Sequence, residues 1–164
     1  MSLAICPGSY DPITLGHLNI IRRTSKIFDE VIVCVLYNAS KKSPMFSVEE
    51  RVAMVKKACV RYPNVRVDSQ HCLLAEYARQ YPGCVVVKGL RASSDFEYEF
   101  QMNLANKNIN PGMETMFLTA DAKYNFISSS LVRELAYYGA DITGYVPFEI
   151  IDEINEKAKI WRKT

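Results

Sequence analysis

Short apolar runs rich in β-branched residues recur five times along this chain: SLAIC at 2–6, VIVCVLY at 31–37, VRV at 65–67, CVVVK at 84–88 and ETMFLT at 114–119. Each is too short for a buried helix, and each is followed by a segment with helical spacing. That alternation predicts parallel strands joined by crossover helices. A sheet built this way is covered on both faces, which is why its strands read as unbroken apolar runs and not as apolar–polar alternation.

The helices announce their ends. Ser47 and Glu50 have the spacing of a capping box, after which Val48, Val52, Val55 and Cys59 recur at intervals of four, three and four. A second such pair, Ser94 with Glu97, opens a predicted helix over 94–108. Ser128, Ser129 and Ser130 precede LVRELAYYG, whose Gly139 suits a helix end. From 147 to 162, Ile150, Ile151, Ile154, Ala158 and Trp161 form a helical stripe, with Pro147 suited to its first turn. The expected architecture is an α/β, Rossmann-like, doubly wound parallel five-stranded sheet with helices on both faces. With 164 residues, the chain is expected to fold as a single domain over 1–164 with a core that needs neither disulfide nor structural metal.

Composition narrows the function. Lys plus Arg number 20 against 18 Asp plus Glu, so bulk charge gives no reason to expect a nucleic-acid or membrane-surface partner. The five cysteines, at 6, 34, 59, 72 and 84, form neither a CxxC pair nor a zinc-like cluster, and they read as reduced thiols. No leader-like segment opens the chain and no apolar run reaches membrane-spanning length, so a cytoplasmic protein is expected.

In sheets of this kind ligands sit outside the carboxyl ends of the strands. The first strand is followed by CPGSYDPITLGH, residues 6–17. Here Pro7 is expected to end the strand, Gly8 to permit a tight turn, and Gly16 to let a ligand approach where the next helix begins. His17 then stands in that helix's first turn, where unpaired N–H groups and the helix dipole favour an anion and an imidazole adds another donor. By itself this is also the pattern of a capped helix with an incidental histidine and an Asx turn at Asp11. The other strand ends make the difference. Lys41 and Lys42 follow the second strand, Lys88, Gly89 and Arg91 the fourth, and Ser128 to Ser130 the fifth.

Four segments, PGSYDPITLGH, SKKSPMFSVEER, VKGLRASSDFEYE and YNFISSSLVRE, resemble in the same order four motifs of the bacterial phosphopantetheine adenylyltransferases, in the nucleotidyltransferase superfamily. The GH pair and the ISSS run belong to the wider superfamily, whereas KGLRxxxDFEYE is more specific. Thr14 stands where superfamily members with other acceptors carry a histidine in HxGH. The resemblance implies adenylyl transfer from ATP to 4'-phosphopantetheine, giving dephospho-coenzyme A and pyrophosphate, with Mg2+ accompanying ATP. It also implies feedback by coenzyme A and a homo-oligomer of hexameric kind. Related transferases with another phosphate acceptor, and a non-catalytic nucleotide-binding regulatory module, are the alternatives.

By the same resemblance His17 and Lys41 are catalytic, His17 at the α-phosphate and Lys41 on the loop beside the transferring phosphates. Lys42 is hard to separate from Lys41, which is chosen because it follows Ser40 directly. Ser9, Lys41, Leu74 and Lys88 are assigned to 4'-phosphopantetheine, Leu74 through its backbone and Lys88 where many relatives carry arginine. Ser9, Tyr10, His17, Gly89, Leu90, Arg91, Glu99, Tyr124, Asn125, Phe126, Ile127, Ser128, Ser129 and Ser130 are assigned to ATP. His71 and Cys72 match no family contact, and no protein side chain is assigned to a metal.

Overall fold

The computed structural model describes residues 1–37, 44–91 and 93–163, with backbone alone at 93 and 94. Its five strands, β1 (Leu3–Gly8), β2 (Glu30–Leu36), β3 (Val65–Gln70), β4 (Val85–Leu90) and β5 (Glu114–Thr119), make one parallel sheet in the order β3-β2-β1-β4-β5. The helices are α1 (Leu15–Thr24), α2 (Val48–Cys59), α3 (Leu74–Ala78), α4 (Ser93–Ile109), α5 (Ser129–Tyr137) and α6 (Ile151–Trp161). This is the doubly wound arrangement expected from the βα alternation.

Side chains alternate across the sheet and both sides are covered. Val31, Val33 and Val35 of β2 enter one core with Ala4 and Cys6 of β1 and with residues of α1, α2, α5 and α6. Ile32 and Cys34 enter the other with Ile5 of β1, with α3 and with Met113. Two buried faces on β1, β2 and β4 are what their apolar runs encode.

The winding reverses between β1 and β4, and there the sheet opens. β1 pairs with β2 along six positions, from Leu3 with Glu30 to Gly8 with Val35, but with β4 only at Ala4–Val85 and Ile5–Val86. Beyond those two rungs the carboxyl ends of β1 and β4 part. Pro7, which has no N–H to donate, stands in that parted stretch and does not end the strand, which continues to Gly8.

Helix ends follow local chemistry, with two corrections. In α2 the Ser47 N–H donates to Glu50 Oε2 at 2.7 Å and the Glu50 N–H to Ser47 Oγ at 3.2 Å, the reciprocal pair expected. After α5, Gly139 takes φ 75°, its N–H donates to the Ala136 carbonyl, and the Ala140 N–H reaches the Leu135 carbonyl, a Schellman ending. The first correction is at α4, which already starts at Ser93, so Ser94 lies inside its first turn and is not the cap; Asp95 in that turn reaches back to accept the Arg91 N–H at 3.2 Å. The second is at Pro147, which precedes a single 3-10 turn, Phe148–Ile150, and not the first turn of α6 itself.

Candidate active site

The parted ends of β1 and β4 open into a cleft of about 550 Å³. Its floor is Cys6, Pro7 and Gly8 of β1 and Val87, Lys88 and Gly89 of β4; its walls are the first turns of α1, α4 and α5. The N-termini of two helices, α1 and α5, thus border one space, each with a partial positive charge from its unpaired amides, while α4 contributes Asp95, Tyr98 and Glu99. An anion with several oxygens is the ligand such a space favours.

The start of α1 explains why a histidine follows Gly16. Thr14 is the N-cap and His17 the third helical residue, in a capping box where the His17 N–H donates to Thr14 Oγ1 at 3.3 Å and the Thr14 N–H donates to His17 Nδ1 at 3.1 Å. A backbone N–H can only donate, so Nδ1 is an acceptor and the ring proton lies on Nε2. The Leu15 N–H is taken by the Tyr145 carbonyl at 2.9 Å. These caps leave over the Gly16 amide in the turn that lines the cleft. Packing does not demand glycine here, since a Cβ at Gly16 would meet Thr14 and Tyr124 only at 3.6–3.8 Å.

The strained residue of the preceding loop is not a glycine. Tyr10 has φ 48°, a region that side chains other than glycine rarely adopt, while Gly8 is extended and lies under the Tyr10 ring, 3.0 Å from where its Cβ would be. The expected glycine turn at Gly8 is therefore a turn at Tyr10. Such a backbone persists only where its surroundings fix it. The Tyr10 hydroxyl donates to the Cys6 carbonyl at 2.9 Å, Arg51 Nη1 to the Ser9 carbonyl at 2.8 Å, and Arg133 Nη1 to the Asp11 carbonyl at 2.5 Å. Asp11, 1% exposed, accepts the N–H groups of Met45 and Phe46 at 3.2 and 3.0 Å, and its Oδ2 lies 3.5 Å from Arg133. Asp11 thus closes no local turn; it clamps the loop to the chain entering α2. Tyr10, with its hydroxyl turned inward, its ring edge-on to His17 at 5.1 Å and its pKa pushed well up by burial, offers the cleft no polar atom of its side chain.

At the exit of β4 the two cations are each held by an acid of α4. Lys88 Nζ lies 2.5 Å from Glu99 Oε2, both largely sheltered, and Arg91 Nε lies 3.0 Å from Asp95 Oδ2. Arg91 Nη1 also donates to the Ile127 carbonyl at 3.0 Å, tying β4 to the segment that enters α5. Asp95 and Glu99 are four residues apart, on one side of the helix. Gly89 is the position where a side chain does not fit: its Cβ would lie 2.8 Å from Ile20 Cγ1 of α1.

The serines at α5 are already engaged. Ser128 Oγ accepts the Leu131 N–H at 3.1 Å as N-cap, Ser129 Oγ donates to the Pro12 carbonyl at 2.8 Å, and Ser130 Oγ accepts from Arg133 Nη2 at 3.3 Å. What this turn has left for an anion is chiefly its main-chain N–H groups.

Of the residues singled out in the sequence, Tyr10, His17, Lys88, Gly89, Arg91, Glu99, Ile127, Ser128, Ser129 and Ser130 line this cleft. Ser9 stands between the lining residues Gly8 and Tyr10. Leu90 gives its carbonyl to the Ala120 N–H, Tyr124 lies against Gly16, Asn125 ends a 3-10 turn, and Phe126 is exposed and edge-on to Tyr145. The Leu74 side chain is buried in the second core with Ile5 and Ile32 and does not line the cleft. Lys41 and Lys42 lie outside the described residues. Arg51, Arg133 and Asp11 hold the loop together; their one sequence signal is a charged residue falling on a buried helix face or in a turn, a pattern more often a solvated surface.

The floor thiol, Cys6, is pushed up to about 12 by burial and stays protonated at neutral pH, so no thiolate nucleophile faces the cleft. Among the described residues no group of three or more His, Cys, Asp or Glu could hold a metal ion. No helix there is long and apolar enough to cross a membrane.

A parallel sheet that opens at its switch point onto cations and helix N-termini suits a phosphate-bearing ligand, and the family match places the chain in the nucleotidyltransferase class. The Cytidylyltransferase-like family matches residues 5–135. A solved chain from Vibrio parahaemolyticus assigned as a nicotinate-nucleotide adenylyltransferase superposes with a TM-score of 0.68 over 100% of this chain and 98% of its own, at 21% identity, a likeness of fold alone. Phosphopantetheine adenylyltransferase of Caldanaerobacter subterraneus subsp. tengcongensis is 47% identical over 97% of this chain and 99% of its own length. Those of Finegoldia magna and Dictyoglomus thermophilum are 51% and 49% identical, covering 92% and 96% of this chain and 93% and 95% of theirs. The chain belongs to the phosphopantetheine adenylyltransferase family.

Proposed function

We propose that this protein transfers the adenylyl group of ATP to 4'-phosphopantetheine, giving dephospho-coenzyme A and pyrophosphate in coenzyme A biosynthesis. The observation that carries the reading is the convergence of His17, Lys88, Arg91 and the N-termini of α1 and α5 on one cleft, in a chain that matches phosphopantetheine adenylyltransferases over nearly its whole length. The acceptor is already an anion at neutral pH. One of its phosphate oxygens attacks the α-phosphorus of ATP in line, a new P–O bond forms, and the bond to the bridging oxygen of pyrophosphate breaks. No general base is required, which suits a cleft rich in donors and without a thiolate.

In this scheme the His17 Nε2–H donates to the α-phosphate oxygens as charge builds on them, and Ser9 contacts both the nucleotide and the acceptor phosphate. Lys88 holds the acceptor phosphate as a point charge. Arg91, Glu99 and the main chain of 124–130 hold the nucleotide, with the first turn of α5 at the β- and γ-phosphates. Lys41 assists at the transferring phosphates, and the backbone at Leu74 borders the pantetheine arm. Mg2+ would accompany ATP and would supply neutralisation of phosphate charge, and no side chain of this chain is assigned to hold it.

The protein acts in the cytoplasm as a homo-oligomer, a hexamer in this proposal, with coenzyme A feeding back through the product site. The exposed apolar residues of α4, Phe96, Phe100 and Leu104 among them, are consistent with a subunit interface. The test is ATP-dependent pyrophosphate release with 4'-phosphopantetheine, nicotinamide mononucleotide and glycerol 3-phosphate as parallel acceptors. Release with 4'-phosphopantetheine alone is the expected result. Release with another acceptor would replace the acceptor assignment, and ATP binding without release would mark a regulatory module.

A further inference from the structure

The chain buries a cation that the scheme above does not use. Arg51, near the start of α2 and 3% exposed, has no carboxylate within ion-pairing distance among the described residues. Its Nε donates to the Ser47 carbonyl at 3.3 Å and its Nη1 to the Ser9 carbonyl at 2.8 Å. A buried charge with no direct ion pair, compensated only at longer range by the exposed Glu49, is costly, and the N-terminal end of a helix adds a dipole of the same sign. Core packing alone would be served as well by an apolar residue of similar volume. What a guanidinium adds is a rigid fork whose donors reach two carbonyls at once. Here the fork spans the cap of α2 and the loop that follows β1.

That loop is where geometry matters most. Ser9 precedes Tyr10, whose φ of 48° must be held in place by its surroundings. The Tyr10 hydroxyl fixes Cys6 on one side and Arg133 fixes Asp11 on the other; Arg51 fixes the carbonyl of Ser9 itself. We infer that Arg51 is a positioning residue, which sets where the Ser9 hydroxyl stands toward the phosphates by anchoring the Ser9 carbonyl to α2. The inference rests on the functional reading above, in which Ser9 touches those phosphates.

The test is a double-mutant cycle of Arg51→Lys and Ser9→Ala, read as kcat for pyrophosphate release with 4'-phosphopantetheine, beside KM for each substrate and thermal melting. Lysine keeps the charge but reaches one carbonyl instead of two. A displacement of about 1 Å at a reacting group costs about 10²-fold, so Arg51→Lys is expected to lower kcat by about 10- to 10²-fold, with less change in KM. In the Ser9→Ala background the same substitution is expected to cost less than about threefold, because both changes act through one hydroxyl. An equal cost in both backgrounds, or no cost in the wild type, overturns the inference while leaving the function intact. Full activity of Ser9→Ala would overturn the role of Ser9 and this inference with it, and a wild type inactive with 4'-phosphopantetheine would overturn the functional reading. Should Arg51→Lys not fold, Arg51→Met, which fills the space without burying a charge, carries the same cycle and the same criteria.

Discussion

The imidazole of His17 caps its own helix: Nδ1 accepts the Thr14 N–H at 3.1 Å while the His17 N–H binds Thr14 Oγ1. One side chain thus serves stability through Nδ1 and, in the proposed reaction, charge stabilisation through Nε2–H. The two roles are separable. Gln at this position completes the Thr-x-x-Gln form of the capping box but places no Nε2–H at the imidazole's location. His17→Gln is expected to keep the wild-type melting temperature and lose about 10²–10³ in kcat, whereas His17→Ala loses the same turnover and about 1 kcal/mol of stability as well. Near-normal turnover in either variant would remove His17 from the reaction.

Lys88 and Glu99 neutralise each other in the cleft at 2.5 Å, although the proposed scheme sends Lys88 to the acceptor and Glu99 to the nucleotide. Acceptor phosphate must draw Lys88 away from a carboxylate. Glu99→Gln removes that competitor, and freeing Lys88 from such a pair is expected to be worth about 1 kcal/mol, or about fivefold in affinity. The variant is expected to bind 4'-phosphopantetheine about two- to fivefold more tightly by calorimetry and ATP more weakly. Weaker acceptor binding would mean that Glu99 orients Lys88 and does not compete for it.

Two glycines beside the cleft are expected to behave oppositely. A Cβ at Gly89 would lie 2.8 Å from Ile20 Cγ1, against the same helix that carries His17, and one at Gly16 would make only ordinary contacts. Gly89→Ala is expected to cost about 1–3 kcal/mol by overpacking and to slow turnover through displacement of α1. Gly16→Ala, inside a helix, is expected to hold or raise stability by up to about 1 kcal/mol. Equal melting temperatures for the two variants would show that Ile20 yields without moving its helix.

The architecture was legible because both faces of the central strands are buried, so the runs 3–6, 31–36 and 84–87 are apolar without interruption, and because Ser47 with Glu50 and Gly139 mark helix ends by local chemistry alone. The cleft followed from strand ends, since chemistry in this topology gathers there. What holds the cleft in shape was not legible. Arg51 and Ser9 are 42 residues apart and Arg133 and Asp11 are 122, and side-chain contacts of that span leave no periodic trace. A glycine misled for a related reason: Gly8 suggests a tight turn, but the positive φ falls on Tyr10, where tertiary hydrogen bonds override local preference. At α4 the Ser94–Glu97 spacing imitates a cap, but the helix has already begun at Ser93 and Asp95 reaches back to the Arg91 N–H instead.

A last prediction concerns acid. Asp68, on β3, accepts the Tyr77 hydroxyl at 2.7 Å, the Ser69 N–H at 2.8 Å and Gln70 Nε2 at 3.4 Å. Burial raises this carboxyl's pKa, but the three donors outweigh it and hold it below the usual aspartate range, while burial and Asp68 together raise the Tyr77 hydroxyl. Folding therefore lowers the affinity of Asp68 for a proton, and between the two titration ranges the unfolded chain binds more protons than the folded one. The stability it contributes is complete above the unfolded range, which ends near pH 5, and is lost as pH falls through the folded range. Glu50, also held low, by Lys157 and the Ser47 N–H against the opposing effect of burial, adds to the same decline. Asp68→Asn is expected to cost about 1 kcal/mol at pH 7, about 2–4 °C in melting temperature for a chain of this size. The gap from the wild type should narrow as pH falls from 5 to 3, because the wild-type carboxylate is then protonated as well. Melting curves at pH 7, 5, 4 and 3 check this, and a gap that stays constant would mean that Asp68 acts through packing and not through its charge.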